Sequence, residues 1–73
     1  GIDVAKNLTK AFLWFLKAAE QGYADAQYHL GACYEQGQGV SKNLDEAIKW
    51  YRQAAEQGNA EAKKRLKANG ILL

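Results

Sequence analysis

Shifting the chain by 36 positions against itself lays residues 4–30 over residues 40–66, with 14 identities in 27 positions. The densest stretch is Ala18-Ala19-Glu20-Gln21-Gly22 over Ala54-Ala55-Glu56-Gln57-Gly58, and Trp14 falls on Trp50. A period of this length is the signature of helical-pair repeats. One such unit cannot cover its own apolar faces, so neighbours must stack into a layered core. Composition agrees. Of 73 residues 13 are Ala and 8 are Leu, six are β-branched, and there is no Pro. Ala and Leu favour helices, whereas strands draw on β-branched and aromatic residues. An all-β domain is therefore not expected.

Within each period the apolar spacing predicts two helices. Leu44, Ala47, Ile48, Tyr51, Ala54 and Ala55 recur at helical intervals, with Asp45, Lys49, Arg52 and Glu56 on the opposite side. Asn43 is a good N-cap, and Glu46 sits where a capping box needs it. Gly58 supplies a left-handed stop, and Asn59 caps the helix that follows. The shorter helix buries Ala26, Leu30, Cys33 and Tyr34. The predicted order is a long helix at 8–21, a short one at 24–36, a long one at 44–57 and a short one at 60–69. The segment from Gly37 to Lys42 is the connecting loop.

The run Ala26-x3-Leu30-Gly31-x2-Tyr34-x2-Gly37-x-Gly39-Val40-x2-Asn43-x3-Ala47-x2-Trp50-x3-Ala54-Ala55-x2-Gly58 resembles the Sel-one-like repeat, a relative of the tetratricopeptide repeat. Ser41 stands where that family often has Pro, and Asn43 where it often has Asp. The resemblance implies an all-α superhelix (solenoid) of four antiparallel helices. It divides the chain into a half repeat at about 4–23, a full repeat at about 24–59 and a C-terminal half repeat or cap at about 60–73. Lys67 occupies the position of Gly31, and Lys63, Lys64 and Lys67 would line the surface where another long helix docks. This polar face suits a cap, while the unpaired first long helix suggests a longer repeat protein with units upstream.

The resemblance also implies a function: a scaffold or adaptor that binds a protein or peptide partner on its concave face. Family members serve in signalling assemblies, quality-control complexes and bacterial envelope or virulence pathways. The lane expected to line that face holds Asp25, Tyr28, Ala32 and Glu35 on one short helix and Glu61 and Lys64 on the other. Tyr28 is either an exposed anchor or a ring packed on the neighbouring short helix. The alternatives are a purely structural segment, or a β-lactam-binding hydrolase like the disulfide-rich relatives. Those carry paired cysteines in each unit, and this chain has one Cys.

No catalytic constellation is expected. Gly37-x-Gly39 followed by Lys42 lacks the third glycine and preceding strand of a dinucleotide loop. Asp25, His29 and Cys33 fall at i, i+4 and i+8 on one helix, a spacing that can present metal ligands. However, Cys33 belongs to the apolar stripe, so neither a zinc site nor a Cys/His nucleophile is expected. No cofactor is expected.

Charge is uneven. Residues 1–62 carry six Lys/Arg and eight Asp/Glu, whereas Lys63, Lys64, Arg65 and Lys67 make the last eleven residues strongly basic. No interleaved aromatics or nucleic-acid-binding motif accompany that cluster, so nucleic acid is not an expected partner. No run approaches the ~20 apolar residues of a membrane span, and no signal peptide is visible. Membrane insertion is not expected, and the compartment is left open. Two apolar groups stand out. Leu13 and Leu16, beside Trp14, replace Lys49 and Arg52 of the next unit on what should be an outer polar face. They are candidates for self-association through the first helix. Ile71, Leu72 and Leu73 form the second group.

Overall fold

The structure, a computed structural model, describes residues 4–71. Among these the chain is all helix and turn: α1 (Val4–Glu20), α2 (Ala24–Gln36), α3 (Leu44–Glu56) and α4 (Ala60–Ala68). Each helix packs on the next in sequence, α1 on α2, α2 on α3 and α3 on α4. This is the all-α repeat stack that the period predicts.

The helix ends follow from a small set of residues. Asn43 and Asn59 each accept a hydrogen bond at Oδ1 from the backbone N–H three residues on, Glu46 at 3.1 Å and Ala62 at 2.8 Å. At the other end, a left-handed glycine closes each helix. Gly22, Gly37, Gly58 and Gly70 have φ between 70° and 96°. The next N–H then reaches back five residues to a helix carbonyl: Tyr23 to Ala18, Gln38 to Cys33, Asn59 to Ala54 and Ile71 to Leu66. This pattern satisfies carbonyls that the last helical turn leaves open.

The first helix, Val4–Glu20, already includes residues 4–7, ahead of the start at residue 8 that its alignment on α3 suggests. Asn43 leaves the helix because the Gly37–Lys42 loop returns from α2 and the Asn43 N–H donates to the Tyr34 carbonyl at 2.9 Å. In α1 the helix runs through Asn7, the residue equivalent to Asn43. The same loop closes on α1. Gly39 adopts φ +75°, and a Cβ there would overlap the Leu8 carbonyl and lie 3.0 Å from Phe12 Cβ.

Two core clusters repeat the sequence period. Phe12 and Ala19 of α1 pack with Ala26, Leu30 and Cys33 of α2. Ala47, Tyr51, Ala54 and Ala55 of α3 pack with Ala62 and Leu66 of α4. Leu30 and Leu66, equivalent in the two periods, are both fully buried. Full burial of such a side chain contributes roughly 1.5–3 kcal/mol.

Gly31 sets the seam between α2 and α3. A Cβ there would lie 2.7 and 2.8 Å from the Tyr51 ring and 3.1 Å from the Ala47 carbonyl. The missing side chain therefore lets the Tyr51 ring lie directly against the α2 backbone. Gln27, the one buried polar side chain among the described residues, completes the seam. It donates to the Ala19 carbonyl at 3.3 Å, and its Oε1 accepts from Gln57 Nε2 at 2.9 Å. The same Gln57 amide donates to the Gly22 carbonyl at 2.9 Å.

Candidate protein-interaction face

The expected lane residues lie on α2 and α4, and two hydrogen bonds at the same sequence offset join these helices. Asn59 Nδ2 donates to Asp25 at 3.1 Å near their starts, and Asn69 Nδ2 donates to Glu35 at 3.0 Å near their ends. The two short helices are thus held parallel. Asp25, Glu61 and Lys64 are exposed, and Ala32 is half-buried. Lys64 Nζ lies 3.7 Å from Glu61, with both side chains largely in solvent. Such an exposed pair contributes little to stability, so both groups are free to meet a partner.

Tyr28 and Glu35 are less exposed than Asp25, Glu61 and Lys64. Tyr28 is half-buried, with its ring centroid 5.9 Å from that of Tyr51 and 5.1 Å from that of His29. It packs against the core cluster formed by α3 and the short helix α4, with Tyr51 as its ring neighbour. The reason is Gly31: the gap it leaves brings Tyr51 between Tyr28 and Glu35. Glu35 is only 19% exposed; its carboxylate accepts from the Tyr51 hydroxyl at 2.7 Å and lies 3.7 Å from Arg65 Nε. Burial alone would raise the Glu35 carboxyl. Hydrogen bonds from Asn69 and Tyr51 and the charges of Arg65 and Lys42 outweigh it, holding the group below its ordinary value. Tyr51 is pushed well up, by burial first and then by its bond to Glu35. Glu35 is thus the polar joint between α2, α3 and α4, while the exposed part of the lane is Asp25, Glu61, Lys64 and the outer edge of Tyr28.

The other candidate constellation is dispersed. Cys33 is buried in the first core cluster, where burial pushes its thiol up. His29 is exposed, its ring stacked on Phe15 with centroids 4.9 Å apart. Asp25 is engaged by Asn59. Among the described residues no cluster of three or more His, Cys, Asp or Glu is placed to hold a metal.

The two leucines of α1 also part company. Leu13 is 54% exposed and Trp14 74%. Leu16 instead lies half-buried against the Phe12, Ala19, Ala26, Leu30 and Cys33 cluster. It lies at the border of the stripe of Phe12 and Ala19, and there a leucine packs inward and leaves the expected outer face. Ile71 packs against the second core cluster. Leu72 and Leu73 lie outside the described residues.

Stacked helix pairs and a sequence period define a helical-repeat protein. The family model described as Sel1 repeat matches residues 1–23 and 24–59, and the chain belongs to the Sel1 repeat family. This is a helical-repeat protein-interaction fold and generally non-enzymatic. The crystal structure of a Sel1 repeat protein from Oxalobacter formigenes is similar, with a TM-score of 0.79 and 55% identity, over 86% of this chain and 27% of that one. Over 34 residues the chain is also 50% identical to DAP3-binding cell death enhancer 1 of Rattus norvegicus and of Mus musculus. That match covers 47% of this chain and 7% of each relative. Among the described residues no helix is long and apolar enough to cross a membrane.

Proposed function

We propose that this chain is a protein-interaction scaffold segment that binds a protein or peptide through the lane shared by α2 and α4. The observation that carries the reading is the parallel tethering of the two short helices by Asp25–Asn59 and Glu35–Asn69, which presents Asp25, Glu61 and Lys64 on a fixed frame. Preorganisation of this kind lowers the ordering cost of binding. Exposed charges of both signs beside a tyrosine suit an extended or helical peptide with matching charges. Family membership supports the same reading, as does the rodent relatives' name, which records a bound protein. On this reading the chain is one stretch of a longer repeat array.

The test is a set of peptides selected by display on the immobilised chain. Affinity is then measured by calorimetry on Glu61→Lys and Lys64→Glu, which leave the core untouched. Each reversal is expected to weaken a lane-binding peptide several-fold. Selected peptides indifferent to both reversals and to Tyr28→Ala would overturn the lane as the site.

A further inference from the structure

The seam between α2 and α4 holds a cation that helical periodicity did not assign to the lane. Arg65 reaches from α4 toward α2, where its Nε lies 3.7 Å from Glu35 Oε1. A charge-assisted hydrogen bond is about 2.7–2.9 Å long, so this looser pair orients the side chain without saturating it. The Arg65 side chain is 41% exposed, and among the described residues its guanidinium donates no hydrogen bond. Glu35 meanwhile draws donors from elsewhere, the Tyr51 hydroxyl at 2.7 Å and the Asn69 amide at 3.0 Å. The terminal Nη groups of Arg65 are left for the lane.

The internal repeat shows that this position stays open inside an array. In the first period the residue equivalent to Arg65 is His29. The following pair, α3 and α4, is stacked on its unit, and His29 is still exposed. Arg65 in turn has the preceding pair, α1 and α2, already in place. A neighbouring unit on either side therefore leaves the position accessible. The same holds for Glu61, whose equivalent Asp25 is exposed with the following unit present.

Charge along the lane is ordered. Asp25 and Glu61 stand at the starts of the two short helices. Arg65 follows Glu61 by four residues, a rise of about 6 Å along α4, with Lys64 beside it. The Glu61–Lys64 pair is solvent-exposed and weak, so it leaves both charges available. An acidic side chain is thus repelled at the helix starts and attracted one turn further on. Arginine suits that second level, because its planar fork matches both oxygens of a carboxylate.

Resting on the lane proposed above, we infer that Arg65 is its specificity-determining residue, taking an Asp or Glu side chain of the bound peptide in a bidentate pair. Glu35 is the positioning residue that holds the guanidinium over the seam, and Lys64 adds a second positive charge. The partner segment is then one that places an acid at Arg65 and none over Asp25 and Glu61. An arginine held in this way is the kind of residue that dominates binding energy at interfaces.

The experiment selects peptides from a displayed random library on the full chain. Calorimetry then compares each selected peptide with a version whose acid is changed to the amide. The selected peptides are expected to share an Asp or Glu, and the change to the amide should lower affinity about tenfold on the wild-type chain. On Arg65→Gln the same change should have little effect. Arg65→Lys keeps a positive charge beside Glu35, and with it the fold, but loses the fork and should lose most of the discrimination. Glu35→Gln should shrink the contribution of the peptide's acid while the amide peptide binds as before, which a loss of stability alone would not produce. Selected peptides with no shared acid would overturn the inference, as would an acid whose replacement costs the same on wild type and on both Arg65 variants. If such peptides still weaken on Glu61→Lys, the lane stands as the site without Arg65 as its reader. If they are indifferent to Glu61→Lys and Lys64→Glu, the lane falls as well.

Discussion

At Gly31 the absence of one methyl group decides the packing of three helices. The Tyr51 ring lies where a Cβ would stand, and its hydroxyl reaches the carboxylate of Glu35, which also holds Asn69 and Arg65. Gly31→Ala is therefore expected to destabilise the fold by roughly 1–3 kcal/mol through overpacking, despite the gain in helix propensity. Lys67→Ala, at the equivalent exposed position of α4, should be tolerated. Urea denaturation of the two variants makes the comparison. Glu35 yields a second prediction with a definite sign. Its folded-state carboxyl is held below its unfolded value, so its stabilisation is present above the unfolded value of about 4.3 and lost as pH falls through the folded one. Glu35→Gln should cost about 1–3 kcal/mol at neutral pH and flatten the acid limb of the stability–pH profile. An acid limb identical to wild type would remove Glu35 from the role of joint. Tyr28 belongs to the same group. Because its ring packs on Tyr51, Tyr28→Ala is expected to lower stability as well as partner affinity.

The elements themselves were largely legible from their ends. An asparagine ahead of α3 and of α4, and a glycine after each helix, are local signals whose geometry the backbone must satisfy. Asn43→Ala and Asn59→Ala should each cost about 1 kcal/mol, with Asn59 the costlier because its amide also holds Asp25. Thermal melts of the two variants check the order. The start of α1 was not legible, because a cap residue acts only where the chain turns into the helix. Asn43 has the Tyr34 carbonyl to turn against, whereas in α1 the helix runs through Asn7. Leu16 was misplaced for a related reason. Its alignment on Arg52 implied an outer position, but side-chain chemistry decides how deeply a border residue sinks, and leucine packs where arginine reaches into solvent.

Across the whole molecule the 36-residue period is the feature that carried furthest, since it recurs as a repeated core with Leu30 and Leu66 at matching depths. The proposed lane was legible only in part. Helical periodicity placed Asp25, Tyr28, Ala32 and Glu35 together on α2, but it could not show that Tyr51 of the next helix would cross the Gly31 gap and occupy Tyr28 and Glu35. That contact is between helices, and no pattern within one helix encodes it. The central claim is that a partner engages the exposed remainder of this lane. Titration of the ¹⁵N-labelled chain with a display-selected peptide, followed by amide chemical shifts, tests it most directly. The largest shifts are expected at Asp25, Tyr28, Ala32, Glu61 and Lys64, with Asp45, Lys49, Arg52 and Glu56 on the opposite side of α3 unmoved. Shifts concentrated on that outer α3 face, with the α2–α4 lane silent, would contradict it.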